Sequence, residues 1–565
     1  MTDALGLGSL KIDPNTNRVR MNAMSSGIDT GALVDAMVDA RKIPALRIER
    51  NIQVGEAKVA AYQDLKTVMT AMQRALEGLR NPPGFNGLDA NLFERKEAYF
   101  SSNTATSPAT LLGIQATNRA EVGSFDLTIT SLATAHKVMS HAVADRAAPG
   151  LVADTLTIGL GTGPTAEIAV TAEMSLGQLR DAINTQSATT GVRASILQIA
   201  DGDARLVLTG QKTGAGNDIV VGGDAGNLAT LGFAEPANQL SQATDAEFLV
   251  DNVPVIRPTN TVTDLYGGLT IDLYQADPGT TVKVEVEPSF GAARDQLFAF
   301  VDAYNALRDL IESQSFVGEA GGVDKVASPL FGDPLLRSLG QSLGLALGGS
   351  VAGLGPNAPS TLGQIGIAVG RDNRLEIDTA KLDQMLLTDP GAVRRVFEFD
   401  AQISSPDLAI FQRPVNLPSN AFTIEKDGGQ WLLKDGTQTL VLEATGNTLR
   451  APKGSAYDGL TMFYVGQDDP TEPIAVTATQ GLADRLHGLL ERAVGLVDGS
   501  IDQAIEGTEK QIETWRKDVE RIDARAEAYR EILVERFGRL ETALSLSEAM
   551  LKQIRTQTDA MFARN

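Results

Sequence analysis

Cysteine is absent from all 565 residues. That excludes disulfides, thiolate nucleophiles and cysteine-ligated zinc, and suits a chain that changes compartment without needing an oxidase. Histidine is nearly absent too: His136, His141 and His487 are the whole supply. Imidazole catalysis therefore has little to draw on. His136 and His141 are out of phase for an i,i+4 metal pair, and no HExxH motif occurs. No run approaches the ~20 apolar residues that a membrane span requires. The opening residues, MTDALGLGSLKIDPNTNR, lack a basic stretch followed by an apolar core, so no cleaved secretory signal is expected. Positive charge is also short. With 49 basic against 71 acidic residues the net charge is −22, which disfavours general nucleic-acid binding, since that rests on neutralising phosphates. The surplus lies in the middle, because residues 511–565 carry ten charges of each sign.

What is present is periodicity of two kinds. Residues 28–42 place Ile28, Leu33, Val34, Met37 and Val38 at helical spacing, with Ser25, Ser26 and Asp29 as candidate caps. Pro44 removes a backbone donor and disfavours helical geometry at Ile43, which predicts a stop or kink there. A second helical pattern runs from Ile52 to Leu79 and ends at Asn81-Pro82-Pro83-Gly84. From about residue 92 to 290, alternating β-branched segments such as SFDLTIT (124–130) and TVKVEVE (281–287) take over, separated by turn residues. Ser175 caps one short helix within them, at 175–186. Helical spacing returns at 293–312, and Asp378 and Asp389 cap two short helices near 378–398. Residues 401–475 read as β, with Asp435-Gly436 as a two-residue hairpin turn. From Thr479 the chain is almost continuously helical.

The last helix carries the clearest pattern. Apolar or small residues fall at Ile512, Trp515, Val519, Ile522, Ala526, Tyr529 and Leu533, in steps of three and four. After one extra step of four they continue at Phe537, Leu540, Leu544, Ser547, Leu551, Ile554, Thr558 and Met561. This is a heptad seam with an insertion that locally unwinds a left-handed supercoil. So narrow a stripe cannot be buried inside one compact domain, and the N-terminal helices are the available partner. The fold class expected is α+β and multidomain: a helical, coiled-coil stalk formed by both termini, with nested β-rich head domains between them. Residues 1–45 form a terminal segment that pairs with 515–565, itself the C-terminal coiled-coil helix. A helical leg combines 46–91, 291–400 and 476–514, and a β-rich head domain combines 92–135 and 241–290. Residues 136–240 are a head domain inserted in the first, and 401–475 are a further β-rich insertion in the leg.

Several enzyme-like signals are weak. TGAGNDIVV (213–221) resembles one calcium-binding repeat, but GGDAGNLAT has Ala225 where the next unit needs Gly, and one turn cannot stack. GLGTGP (159–164) lacks the helix that a phosphate loop requires. No catalytic residue, cofactor or metal ligand is assigned.

The run SSGIDTGALVDAMVDARKIPAL (25–46) resembles the N-terminal signature of the bacterial flagellar filament-cap family, FliD or hook-associated protein 2. GSFDLTITSLATAHKV (123–138), residues 246–287, FVDAYNAL (300–307), IGIAVGRDNRLEIDTAKLDQML (365–386) and DPGAVRRVF (389–397) are similar in the same order. The segment 401–475 matches poorly, and about twenty extra residues precede the signature. The resemblance implies an extracellular protein at the distal filament tip, exported through the flagellar type III apparatus without a cleaved signal. It also implies a homo-oligomeric ring that retains flagellin and promotes its folding and polymerisation, in contact with hook-associated junction proteins. In the cytoplasm it implies an export chaperone on the C-terminal helix. On this reading the contact residues are Ile28, Leu33, Met37, Phe537, Leu540, Leu544, Leu551, Ile554 and Met561, with Pro44 as a hinge. The alternatives are another axial component, such as a hook–filament junction protein, or a flagellar-tip adhesin using residues 136–240.

Overall fold

The structure is a computed structural model that describes residues 10–12, 19–21, 30–83, 87–223, 229–315, 317–320, 324–495 and 499–562. Within these, the expected α+β architecture holds: long helices come from both ends of the chain, and three β-rich units lie between.

The N-terminal helix is a single element, Thr30–Glu77, with Pro44 inside it. This corrects the expected stop at the proline. Pro44 is exposed, so its ring meets solvent, and packing of the residues around it outweighs the local cost of one lost backbone hydrogen bond. The candidate caps Ser25, Ser26 and Asp29 lie outside the described residues. Asn81 turns the chain after the helix with φ +54°, consistent with the expected end at Asn81-Pro82.

The second half of this helix builds the leg. Tyr62, Leu65, Met69, Met72 and Leu76 pack with Leu297, Phe300, Tyr304 and Leu307 of the helix Gly291–Gln314 and with Leu482, Leu486 and Leu490 of the helix Leu482–Val494. A further helix, Pro334–Gly348, adds Leu336, Leu339, Leu343 and Leu347. It was not among the sequence expectations, although its leucines carry the three-and-four spacing. Asp333 caps it, accepting from the Leu335 and Leu336 N–H groups, while Tyr62 donates to its other oxygen at 2.7 Å and Lys58 lies at 2.8 Å.

Each β-rich unit is a pair of antiparallel sheets around its own core, so alternation along every strand puts one set of side chains inside. In the first, the five-stranded sheet runs Val253–Arg257, Ala246–Val250, Gly123–Ser131, Val282–Pro288, Lys96–Ser102. It encloses Leu127, Phe248, Ile271 and Val284. The second, around Leu156, Ile158, Leu206 and Leu208, includes the helix Leu176–Thr185, which Ser175 and Gln178 cap reciprocally. In this unit residues 213–221 turn from the strand Asp203–Thr213 into Ile219–Gly223, and GLGTGP joins two strands through Gly161 at φ +57°.

The third unit spans Phe399 to Gln480, around Phe422, Ile424, Leu433, Tyr457 and Met462. Helices Thr379–Thr388 and Pro390–Phe397, capped by Asp378 and Asp389 as their sequence indicates, lead into it. In its hairpin at Asp435, Gly436 takes the first central position at φ +82°, with Asp435 N–H donating to the Gln438 carbonyl. The turn residues are therefore Gly436-Thr437, one place later than Asp-Gly.

Candidate functional site

One cleft, of about 690 Å³, is lined by Glu312, Asp333 and Asp372 with Arg308 and Arg337, but Asp333 is engaged by Tyr62, Lys58 and the first turn of its own helix, and Asp372 by Arg374. The candidate site is instead a surface built from the two terminal helices. The C-terminal helix runs 63 residues, Ser500–Phe562, roughly 95 Å at 1.5 Å per residue. It lies antiparallel to Thr30–Glu77. Lys66 pairs with Asp502 (2.6 Å), Glu56 with Arg516 (2.6 Å), Lys42 with Asp523 (3.5 Å) and Asp35 with Arg530 (2.6 Å), and Thr30 donates to Glu541 (3.0 Å). One partner's number rises as the other's falls. Most of these pairs are exposed and worth little individually, so they fix direction and register more than stability. The Arg41 guanidinium also sits 4.5 Å over the Tyr529 ring.

Between the charges runs the seam. Val34, Val38, Ala526 and Leu533 are buried, with Met37, Tyr529 and Phe537 packed against them. Closer to the leg, Gly55 lets the helices meet: a Cβ there would stand 2.9 Å from Ile512 Cγ1 and 3.5 Å from Trp515. The seam changes character after Phe537. Leu540 (50 % exposed), Leu544 (38 %), Leu551 (59 %) and Ile554 (57 %) carry the same heptad spacing but have nothing over them among the described residues. The helix thus continues an apolar face past the point where its partner begins to be described, at Thr30.

The residues singled out from sequence fall into different places. Met37 and Phe537 join the closed part of the seam, and Leu33 is 42 % exposed beside it. Leu540, Leu544, Leu551 and Ile554 form the open stripe. Ile28 and the Met561 side chain lie outside the described residues. Gly55 was missed; a glycine inside a helical run, opposite a seam Ile, was its available signal.

A second cluster, also missed, ties the third β unit to the leg. The Arg413 guanidinium donates to Asp484 (2.8 Å) and to the carbonyls of Arg80 (3.2 Å) and Asn81 (2.8 Å), and stacks 4.2 Å over Phe399. Gln480 donates to the other Asp484 oxygen at 2.9 Å. Next to it, burial alone would raise the Glu77 carboxyl, but hydrogen bonds from His487 and Arg80 outweigh burial and hold it at about 2. Glu398 shows the opposite balance. Burial dominates over its 2.6 Å hydrogen bond from Arg394 and pushes its carboxyl up to about 7. His136, by contrast, is internal structure, its Nδ1 accepting from the Ile219 N–H at 2.7 Å.

Comparison with known proteins places this architecture. The family described as flagellar hook-associated protein 2 matches in two parts, its N-terminus over residues 26–136 and its C-terminus over residues 243–549. The chain belongs to the flagellar hook-associated protein 2 family. This is a structural family of flagellar caps (FliD), associated with the filament tip, and not a known enzyme family. A flagellin hook IN motif matches residues 155–212, inside the second β unit. Among curated hook-associated protein 2 relatives, the A-type protein of Pseudomonas aeruginosa is 30 % identical over 411 residues, covering 68 % of this chain and 81 % of that protein. The Escherichia coli K12 protein is 27 % identical over 386 residues, covering 66 % and 78 %. A solved structure of the E. coli flagellar cap protein FliD, domains D1–D2–D3, superposes with a TM-score of 0.47 at 27 % identity, over 60 % of this chain and 89 % of that one. Among the described residues, no helix is long and apolar enough to cross a membrane.

Proposed function

We propose that this protein is the structural cap of a flagellar filament: a homo-oligomer at the distal tip that retains exported flagellin and promotes its folding and polymerisation. Membership of the hook-associated protein 2 family supports the location. The observation that carries the mechanism is the open stripe Leu540–Leu544–Leu551–Ile554, which prolongs a closed two-helix seam. A face of this kind is costly to leave in water, at about 25 cal/mol per Å² of apolar surface. It is completed when a flagellin helix, or the same face of an assembling neighbour, lies along it. Before export a chaperone covers it. Pro44, inside the partner helix, is where that helix yields as the contact forms.

The test is complementation of a deletion strain with Leu540→Asp/Leu551→Asp. The variant retains the leg and the β units, because neither residue is buried. The expected outcome is a stable, exported protein with flagellin monomers shed into the medium and motility lost. Normal filaments and motility in that strain would remove the stripe from the mechanism.

A further inference from the structure

Where the third β unit meets the leg there is a cleft of about 410 Å³. One wall is the helix Pro334–Gly348, giving Ser338, Ser342 and Leu345; the other is the helix Leu482–Val494, giving Arg485, Leu489 and Arg492. No carboxylate among the described residues lines it, in a chain of net charge −22. Arg308, Arg413 and Arg530 each have a buried Nε without an acceptor, and Arg485 adds a second such nitrogen. Its Nε and Nη2 are buried and have no acceptor among the described residues, although an arginine edge is normally satisfied when dry. Its Nη1 lies against the backbone of Gly349, where a Cβ would be only 3.2 Å away. Burial depresses the guanidinium pKa with no compensating partner. On the rim Leu345 is 80 % exposed.

We propose that this cleft is a binding site for a carboxylate carried on a branched apolar group, and that Arg485 holds it. Nε and Nη2 form the planar edge that pairs with both oxygens of a carboxylate. That edge rests in a dry position without an acceptor; on binding, rotation of the guanidinium would bring it into the cleft, where two charge-assisted hydrogen bonds replace none. Arg492 adds a second cation, the serine hydroxyls are available to the same oxygens, and Leu345 and Leu489 meet the hydrocarbon. The proposal stands independently of the cap reading, since the cleft lies away from the open stripe.

The experiment is saturation-transfer NMR on the full chain with 3-methylbutanoate at about 10 mM, ten times a millimolar Kd, with inorganic phosphate as competitor. Transfer to the probe methyls is expected in the wild type and absent in Arg485→Met. Arg485→Lys, which keeps charge but loses the fork, should bind at least ~10-fold more weakly. Arg485→Met should melt no lower than the wild type, because it deletes an unpaired buried charge. Equal transfer in Arg485→Met, no transfer in the wild type, or displacement by phosphate at a lower concentration than the probe would each overturn the assignment.

Discussion

Gly55 offers a test of whether the helix pair is a packed seam or two helices that merely run alongside. In a solvent-facing helix interior, Gly→Ala stabilises by about 1 kcal/mol through backbone entropy alone. Here the new methyl would stand 2.9 Å from Ile512 Cγ1 and 3.1 Å from its Cδ1, and Ile512 is only 5 % exposed. Overpacking of that kind costs about 1–3 kcal/mol, so Gly55→Ala alone should range from neutral to about 2 kcal/mol destabilising. Ile512→Ala alone removes three buried carbons and should cost about 2 kcal/mol, the low end for core aliphatics because the seam has only two helices. In the double variant the methyl introduced at position 55 occupies space that the Ile512 side chain vacates, and the pair should fall short of additivity by about 1–2 kcal/mol. Urea unfolding of the four proteins, read by hydrogen exchange at the amides of 48–62 and 505–519, measures the cycle. Additivity within about 0.5 kcal/mol, or a Gly55→Ala protein stabilised by the full propensity gain, would refute close packing at this crossing.

Pro44→Ala should slow exchange across residues 30–48, since an interior Pro costs about 3 kcal/mol relative to Ala; if Pro44 is a hinge, motility falls while stability rises, and full motility with slower exchange removes that role. Arg413→Met leaves Asp484 buried without its main cation, a loss of about 3–5 kcal/mol; proteolysis should open the junction near residue 413 and exchange should quicken in 482–494, with the core around Ile424 and Tyr457 intact. Glu398 predicts a pH dependence of defined sign. Its carboxyl moves from 4.5 in the unfolded chain to about 7 in the fold, so the native state holds the extra proton between those values and stability falls as pH rises through that window. Glu398→Gln should flatten the melting-temperature profile there and leave the acid-side loss, where Glu77 is protonated, in place.

Features readable in the sequence were those decided by neighbours along the chain. Ser175, Asp378 and Asp389 cap helices because a short polar side chain reaches its own first turn. The seam from Ile512 to Leu533 shows because heptad spacing is a local code. Pro44 misled for the converse reason: its rule describes an isolated backbone, whereas the helix Thr30–Glu77 is held by packing on either side of the proline. The Arg413–Asp484 cluster was invisible because its members, drawn from residues 80 to 484, are brought together only by the fold. Of the candidate surface, the stripe was legible, but not which of its residues the helix Thr30–Glu77 covers, since that depends on where the opposite helix lies, which no pattern in 500–562 encodes.

The contact between Thr30 and Glu541 joins residues 511 positions apart. Each β unit closes on residues nearer in sequence and can form while the rest of the chain is still unavailable. The stalk cannot. In any process that delivers the chain from its N-terminus, the first helix emerges early and finds its partner only when nearly everything else has emerged. Until then its apolar face, from Val34 to Val59, is open to other helices. The order of closure is thus written into the topology: heads first, stalk last, with a long interval in which the first helix is available to whatever else can read a heptad.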